Sequence, residues 1–174
     1  MSDLSKTFPQ LLVDMINAKN TDGVIKISDL TIDPVAVSTF DPQRNSEVLV
    51  KGVQVAGYTG QQTFYYNRLV LATITATGDK AFTEEGKTKL SHVVAEFNTR
   101  FKTNLVLGVD YAEADLPVFT GAPGEQKDVE LTALATSYFY QGTVTLTVKS
   151  ATRDLAEVLP NNLLDGLTYE PPGA

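Results

Sequence analysis

Apolar and polar residues alternate on both sides of Gln141-Gly142, and this pattern predicts an antiparallel hairpin over residues 128–149 with one buried face. The predicted buried pairs are Phe139 with Val144, Ser137 with Leu146 and Ala135 with Val148. The pairs predicted for the wetter face are Tyr138 with Thr145, Thr136 with Thr147 and Leu134 with Lys149. We take this hairpin as the centre of the predicted sheet.

Two other segments place their apolar residues at helical spacing. The first stripe consists of Phe8, Leu11, Leu12, Met15 and Ile16, and the second of Leu90, Val93, Val94, Phe97 and Phe101. We expect the first helix to start after Thr7, with Pro9 in its first turn, and to end at residues 20–23. We expect the second helix to span residues 83–101, with Thr83 as its cap.

The remaining segments are shorter. Residues 25–40 predict short edge strands, because Asp33-Pro34 and Asp41-Pro42 interrupt them. Strands are predicted over residues 47–57, with a bulge at Lys51-Gly52, and over residues 63–71, which together form a hairpin. The rest of the pattern predicts a short strand over residues 105–111, a long loop over residues 112–127, a helical turn over residues 153–159 stopped by Pro160, and an extended tail over residues 161–174.

These elements predict an α+β fold, in which two amphipathic helices pack on an antiparallel sheet or partial β-sandwich of roughly six to eight strands. The 174 residues fit a single domain and can bury a core without staples. We divide the chain into an N-terminal helix (residues 1–23), an α+β core (residues 24–160) and an extended C-terminal tail (residues 161–174).

Composition narrows the class of protein. A formal net charge of −7 opposes binding to a phosphate backbone, so we expect no nucleic-acid partner. No apolar run approaches the roughly 20 residues that span a bilayer, and no signal pattern opens the sequence. We therefore expect a soluble chain made in the cytoplasm, without a membrane partner. The absence of cysteine excludes disulfides and thiolate zinc sites.

Few side chains suit catalysis. His92 is the only histidine, and the spacing places it as a partly exposed residue of the second helix. Asp110, Glu113 and Asp115 form the densest carboxylate group, which we interpret as solvated loop acids, with a weak calcium site or paired catalytic carboxylates as lesser alternatives. Residues 121–124 lack the Lys and Ser or Thr of a phosphate loop and predict a turn. We expect no enzyme, and no catalytic residue, cofactor or metal.

Aromatic residues concentrate in the two predicted hairpins. Seven of the fifteen aromatic residues are there: Tyr58, Phe64, Tyr65, Tyr66, Tyr138, Phe139 and Tyr140. Those that point inward pack in a core, and those that point outward suit a protein interface better than a carbohydrate site. The apolar tail covers an edge of its own sheet or lies on a neighbouring subunit. The candidate interface residues are Tyr65, Tyr66, Tyr138, Tyr140, Leu163, Leu164, Leu167 and Tyr169.

Three stretches resemble small virion structural proteins of large tailed bacteriophages. They are residues 64–71 (FYYNRLVL), residues 93–101 ahead of Val109-Asp110, and residues 164–169 (LDGLTY). The resemblance covers most of the chain and implies an assembly role in a tail, baseplate, neck or head decoration, with no catalytic residues. The most recognisable part contains Asn67 and Arg68, and an Arg beside aromatic rings suits an ion pair or stack that fixes a strand.

The resemblance and the aromatic hairpins lead to one functional hypothesis. The chain is a virion structural protein, assembled in the host cytoplasm, whose partners are copies of itself and other phage structural proteins. The alternative is a carbohydrate-binding β module, which the tyrosines of the hairpins and the acidic loop would serve. An enzyme is the third hypothesis, and the single histidine leaves it few acid–base pairs.

Overall fold

The structure, a computed structural model, describes residues 6–20 and 23–159. Its helices are α1 (Phe8–Lys19), α2 (Leu71–Ile74), α3 (Leu90–Phe101) and α4 (Leu155–Val158). Its strands are β1 (Leu30–Ile32), β2 (Ala36–Val37), β3 (Ser46–Gly52), β4 (Gln61–Tyr66), β5 (Leu69–Val70), β6 (Ala81–Thr83), β7 (Gln126–Thr132), β8 (Tyr140–Gln141) and β9 (Thr143–Lys149). The predicted tail, with Leu163, Leu164, Leu167 and Tyr169, lies outside the described residues, as does Pro160.

The fold is α+β, as the sequence predicts, and its strands are divided over three sheets in the described ranges. In the first sheet β3 pairs with β1 and β2 along one edge and with β4 along the other, always antiparallel. The second sheet joins β5 and β8 in parallel. In the third, β9 lies between β6 and β7, parallel to the former and antiparallel to the latter.

A smaller core lies between α1 and the first sheet. Helix α1 begins after Thr7 and carries Pro9 in its first turn, as predicted, although the Thr7 hydroxyl makes no capping hydrogen bond. Leu12 and Ile16 of α1 pack against Val48 and Val50 of β3. The burial alternates along β3 because successive side chains point to opposite faces, and Val48 and Val50 share the face under the helix.

A larger core lies between α3 and the third sheet. The apolar stripe of α3 meets the inward faces of β7 and β9, and α2 and β8 close the remaining sides. The fully buried side chains at its centre are Leu71, Val93, Phe97, Leu131, Tyr140, Leu146 and Val148. The prediction that α3 covers a sheet through this stripe is confirmed.

Contacts made by residues 135–139 join the two cores. The Phe8 ring of the smaller core stacks on Tyr138 at 4.1 Å and meets Phe139, which packs on the larger core, edge-on at 4.8 Å between ring centroids. The Tyr66 hydroxyl in β4 donates a hydrogen bond to the Tyr138 carbonyl at 2.8 Å. The Arg68 guanidinium donates to the Ser46 hydroxyl at 2.8 Å and to the Ala135 carbonyl at 3.0 Å. Residues 135–138 therefore hold the first sheet on the rest of the molecule.

The predicted pairing of the hairpin over residues 128–149 is wrong in register. Strand β9 pairs with β7, so that Leu131 faces Val144 and Val129 faces Leu146. Residues 133–142 form the connection, which the Ala133 N–H closes by donating to the Gly142 carbonyl at 3.0 Å. The buried positions of Val144, Leu146 and Val148 are as predicted, but the small Ser137 turns inward to bond Asp110 rather than facing Leu146.

Helix α3 begins at Leu90, not at Thr83. Residues Ala81–Thr83 instead form β6 and pair with β9, which satisfies their backbone groups in a sheet. Glu85 and Gly86 then take positive φ angles of 31° and 74°, which a helix does not tolerate. Thr83 therefore does not cap the helix.

Three other strand predictions need correction. Strand β3 ends at Gly52, and Gln54–Ala56 form a 3₁₀ turn in place of the predicted bulged continuation. The strand predicted over residues 63–71 breaks at Asn67 into β4 and β5. Residues 105–111 form a turn, in which Gly108 has a φ of 77°, rather than a strand.

Candidate protein interface

A shallow apolar groove lies between α1 and β4, and we call it the α1–β4 groove. It is lined by Leu11, Leu12, Met15, Ile16, Lys19, Arg44, Phe64, Tyr65, Tyr66 and Phe139, with smaller contributions from Ala18, Asn20, Asn67 and Leu69. Helix α1 forms one wall of the groove. Met15 contributes to this wall because it lies beside the buried stripe of α1 and is only half-covered by the sheet. Lys19 and Arg44 are its charged lining residues, and no carboxylate lines it within the described ranges.

The floor of the groove ends at an unpaired strand edge. Strand β4 pairs with β3 from Lys51↔Gln61 to Ser46↔Tyr66, and no other strand of the described ranges pairs with its outer edge. An unpaired edge presents a row of backbone donors and acceptors that can bind another strand. The groove therefore combines apolar side chains with backbone hydrogen-bonding groups.

The opposite face of β4 carries a second aromatic contact. Tyr65 alternates with Phe64 and Tyr66, so its side chain points away from α1. The Phe40 ring packs on it at 5.5 Å between centroids, yet 78% of Phe40 remains exposed. An added strand at the β4 edge would thus meet apolar side chains on both of its faces.

The structure separates the tyrosines that the sequence predicts as interface residues. Tyr65 and Tyr66 line the α1–β4 groove and are half-buried. Tyr138 is half-buried under the Phe8 ring, where its backbone carbonyl accepts from Tyr66. Tyr140 is fully buried, with its hydroxyl accepting the Asn104 N–H at 3.1 Å, so its assignment to an interface is wrong. Its place in the core follows from β8, which pairs inside the molecule.

The three acids of the loop are not one cluster. Asp110 is buried rather than solvated, because Ser137 donates to one of its oxygens at 2.5 Å and the Val106 N–H to the other at 2.9 Å. Glu113 accepts the Ser91 N–H at 3.0 Å at the start of α3, and hydrogen bonds from Ser91 lower the pKa of the Glu113 carboxyl. Asp115 forms an ion pair with Lys89. Glu113 and Asp115 therefore fix the loop to the start of α3, whereas Asp110 joins residue 106 to residue 137.

Residues 1–173 match a family described as a family of unknown function, DUF7941. The chain belongs to this family. No curated protein and no solved structure matches the chain. The match spans both cores and both walls of the α1–β4 groove, so the groove lies within the part of the sequence that defines the family.

His92 is exposed on α3, as its position in the helical pattern predicts, and its Nδ1 accepts the Thr88 N–H at 3.4 Å. Among the described residues no group of three or more His, Cys, Asp or Glu side chains is placed to hold a metal ion. Within the same residues, none of the helices has the length and apolar character needed to cross a membrane.

A second apolar surface, which sequence reasoning missed, lies on the turn before the acidic loop. Val106, Leu107 and Val109 are each more than two-fifths exposed there. Their apolar character led to the predicted short strand, and Gly108 between them is the signal that the segment turns instead. We call these three residues the turn patch.

Proposed function

We propose that this chain is a structural protein of a tailed-phage virion, assembled in the host cytoplasm, which acts by protein–protein packing in a multi-copy assembly. The observation that carries the proposal is the unpaired edge of β4 beside the apolar α1–β4 groove. The resemblance of residues 64–71 and 164–169 to small virion proteins supports the phage setting.

The chemistry of the β4 edge favours a partner. Natural proteins protect sheet edges with charged side chains, prolines or bulges. Strand β4 reads Gln-Gln-Thr-Phe-Tyr-Tyr and has neither charge nor proline. The opposite edge of the same sheet differs, because Asp33 and Pro34 separate β1 from β2 and Asp33 pairs with Lys51 at 2.6 Å. The β1–β2 edge of the sheet is thus protected against pairing, whereas the β4 edge can pair with a strand of a neighbouring chain.

The position of the turn patch suggests how copies would pack. Val106, Leu107 and Val109 belong to the segment that frames the larger core, whereas the α1–β4 groove borders the smaller one. Two different surfaces on one chain favour head-to-tail contacts, which generate rings or filaments. Rings and tubes of this kind suit a tail, baseplate or neck.

Mass spectrometry of purified phage particles tests the proposal. Complete particles should retain this chain through density-gradient purification in a fixed ratio to the major capsid protein. A non-structural phage protein of similar abundance in the lysate is the control, and it should be lost during purification. Absence of the chain from complete particles, at a sensitivity that detects minor tail proteins, would overturn the proposal.

A carbohydrate-binding module is the second candidate function, and one observation favours it. Tyr58 is 41% exposed beside Gln61 and Gln62, at a depression between the 53–60 turn and β4. An exposed aromatic ring with neighbouring amides is a common way to bind a sugar. A glycan array of the unmodified chain and of Tyr58→Ala decides this candidate, which fails if the unmodified chain gives no signal.

A further inference from the structure

The α1–β4 groove is shaped for an extended peptide. Its floor is the outer edge of β4, whose six residues span about 20 Å. Met15 and Leu12 form a wall on the helix side, and Tyr65 with Phe40 lies on the other side of the edge. A strand added here would gain backbone hydrogen bonds from the edge and apolar contacts from alternate side chains.

We propose that residues 163–169 of a second copy of this chain bind along the β4 edge in the α1–β4 groove. The segment reads Leu-Leu-Asp-Gly-Leu-Thr-Tyr, and we call it the C-terminal arm. Its seven residues are one more than β4 contains, and the alternation would put Leu163, Asp165, Leu167 and Tyr169 on one face. This arrangement rests on the proposed multi-copy assembly and gives one of its contacts.

Charge supports the choice of this occupant. The chain is acidic, with a formal net charge of −7, yet Lys19 and Arg44 are the charged residues among those that line the groove. The C-terminal arm carries Asp165, Glu170 follows it, and no Lys or Arg occurs in residues 163–170. An apolar and acidic segment thus complements an apolar and basic groove, which favours this pairing over like-charged surfaces.

The path of the chain before the arm favours a second copy over the same copy. Ser150 follows β9 and donates its N–H to the Glu125 carbonyl at 2.8 Å, so the chain leaves from the third sheet and not from the sheet that holds the groove. Beyond it, Leu155 is 71% exposed and Leu159 is 61% exposed. These apolar side chains do not pack on the core of their own copy. The segment before the arm is therefore not held against its own copy, which favours an arm that reaches a neighbour.

Cross-linking between two singly substituted chains tests the arm. The natural sequence has no cysteine, so Ala18→Cys in the groove wall and Thr168→Cys in the arm introduce single reactive thiols and leave Lys19, Arg44 and Asp165 in place. The two full-length variants are mixed and treated with a short bis-maleimide, which tolerates a shift of a few ångströms in register. Peptide mass spectrometry then quantifies the product that joins the two introduced thiols, which we call the groove–arm product. A docked arm raises the local concentration of the pair, so we expect at least about tenfold more product than from a control pair.

The control pair combines Thr168→Cys with Val118→Cys, because Val118 is 87% exposed on the loop of the other core. Adding Leu167→Asp to the arm variant should reduce the groove–arm product to the control level. Product equal to the control in the mixture overturns the inference. So does a product that forms only within a chain carrying both substitutions, since that places the arm on its own copy. If either occurs while purified particles contain the chain, the arm fails and the proposed function stands.

Discussion

Arg68 shows how one side chain can join two parts of the molecule. Its guanidinium donates to the Ser46 hydroxyl and to the carbonyls of Ala135 and Ser137, at 2.8, 3.0 and 3.3 Å. The sequence favours a structural role for Arg68 through an ion pair or an aromatic stack. The structural role fits, but the partners are a hydroxyl and two carbonyls, which no pattern along the chain reveals.

Replacing Arg68 by Lys should destabilise the protein. Lysine cannot reach the three acceptors with a planar fork, so two of the hydrogen bonds are lost and the free energy of unfolding should fall by about 1–3 kcal/mol. Urea unfolding of the full chain measures the change. Arg44→Lys is the matched control, because Arg44 is exposed and its guanidinium bonds the adjacent Gln43 carbonyl. Equal stability of the two variants would contradict the role of Arg68.

Tyr66 makes stability depend on alkaline pH. Burial raises the pKa of its hydroxyl above the ordinary value of 10.0, although the nearby Arg68 charge opposes this. The unfolded chain therefore releases the proton first as pH rises, and the stability present below about pH 10 is lost above it. Between about pH 9 and pH 11 the free energy of unfolding should fall less steeply in Tyr66→Phe than in the unmodified chain. Tyr58→Phe, at an exposed ring, is the control, and identical slopes in all three proteins would show that the Tyr66 hydroxyl does not cause the alkaline loss of stability.

Burial of single residues is predictable where it follows a local period. Val144, Leu146 and Val148 alternate with threonines, so their inward face follows from the strand alone. The burial of Asp110 and Tyr140 does not follow from any local period of apolar residues. Ser137 satisfies the carboxylate and Asn104 the hydroxyl, and both partners come from distant parts of the sequence. Such burial depends on a hydrogen bond that only the folded chain forms.

The sequence pattern predicts which segments form strands and helices better than it predicts which strands pair with each other. The alternation of β9 correctly predicts a strand with one buried face. Two earlier segments, however, alternate well enough to pair with it, namely β7 and residues 134–139. Strand β7 takes that place, because Val129 and Leu131 bury more apolar surface than Ala135 and Ser137 would. Residues 133–142 then form a connection that carries β8 to β5. Helical spacing likewise predicts the body of α3, whereas its start is set by the Glu113 carboxylate from a distant loop.

Gly52 ends β3 because another part of the backbone lies against it. A Cβ at this position would stand 2.9 Å from the Tyr58 carbonyl carbon and 3.0 Å from the Thr59 nitrogen. Gly52→Ala should lower the free energy of unfolding by about 1–3 kcal/mol, since backbone must move to admit the methyl group. Thermal and urea unfolding measure the loss. Gly23→Ala is the control, with no atom within 4 Å of the new methyl group. A stable Gly52→Ala would show that the 53–60 turn is looser than described.

At the scale of the whole molecule, the sequence predicts the α+β class and two helices on sheets. It does not predict that the strands divide into three sheets, because that division depends on which edges meet. The α1–β4 groove arises from the same cause, since its walls come from a helix and a strand in separate segments. The aromatic residues of β4 indicate in the sequence that this strand takes part in an interface. Nothing in the sequence indicates that Lys19 lines the groove.

The most direct test of packing between copies is a cryo-electron microscopy map of the complete particle, into which residues 6–159 are placed. We expect several symmetry-related copies, each with the outer edge of β4 and the Phe40 side chain covered by a neighbouring chain. Copies whose β4 edge and Phe40 face solvent throughout the particle would contradict this expectation.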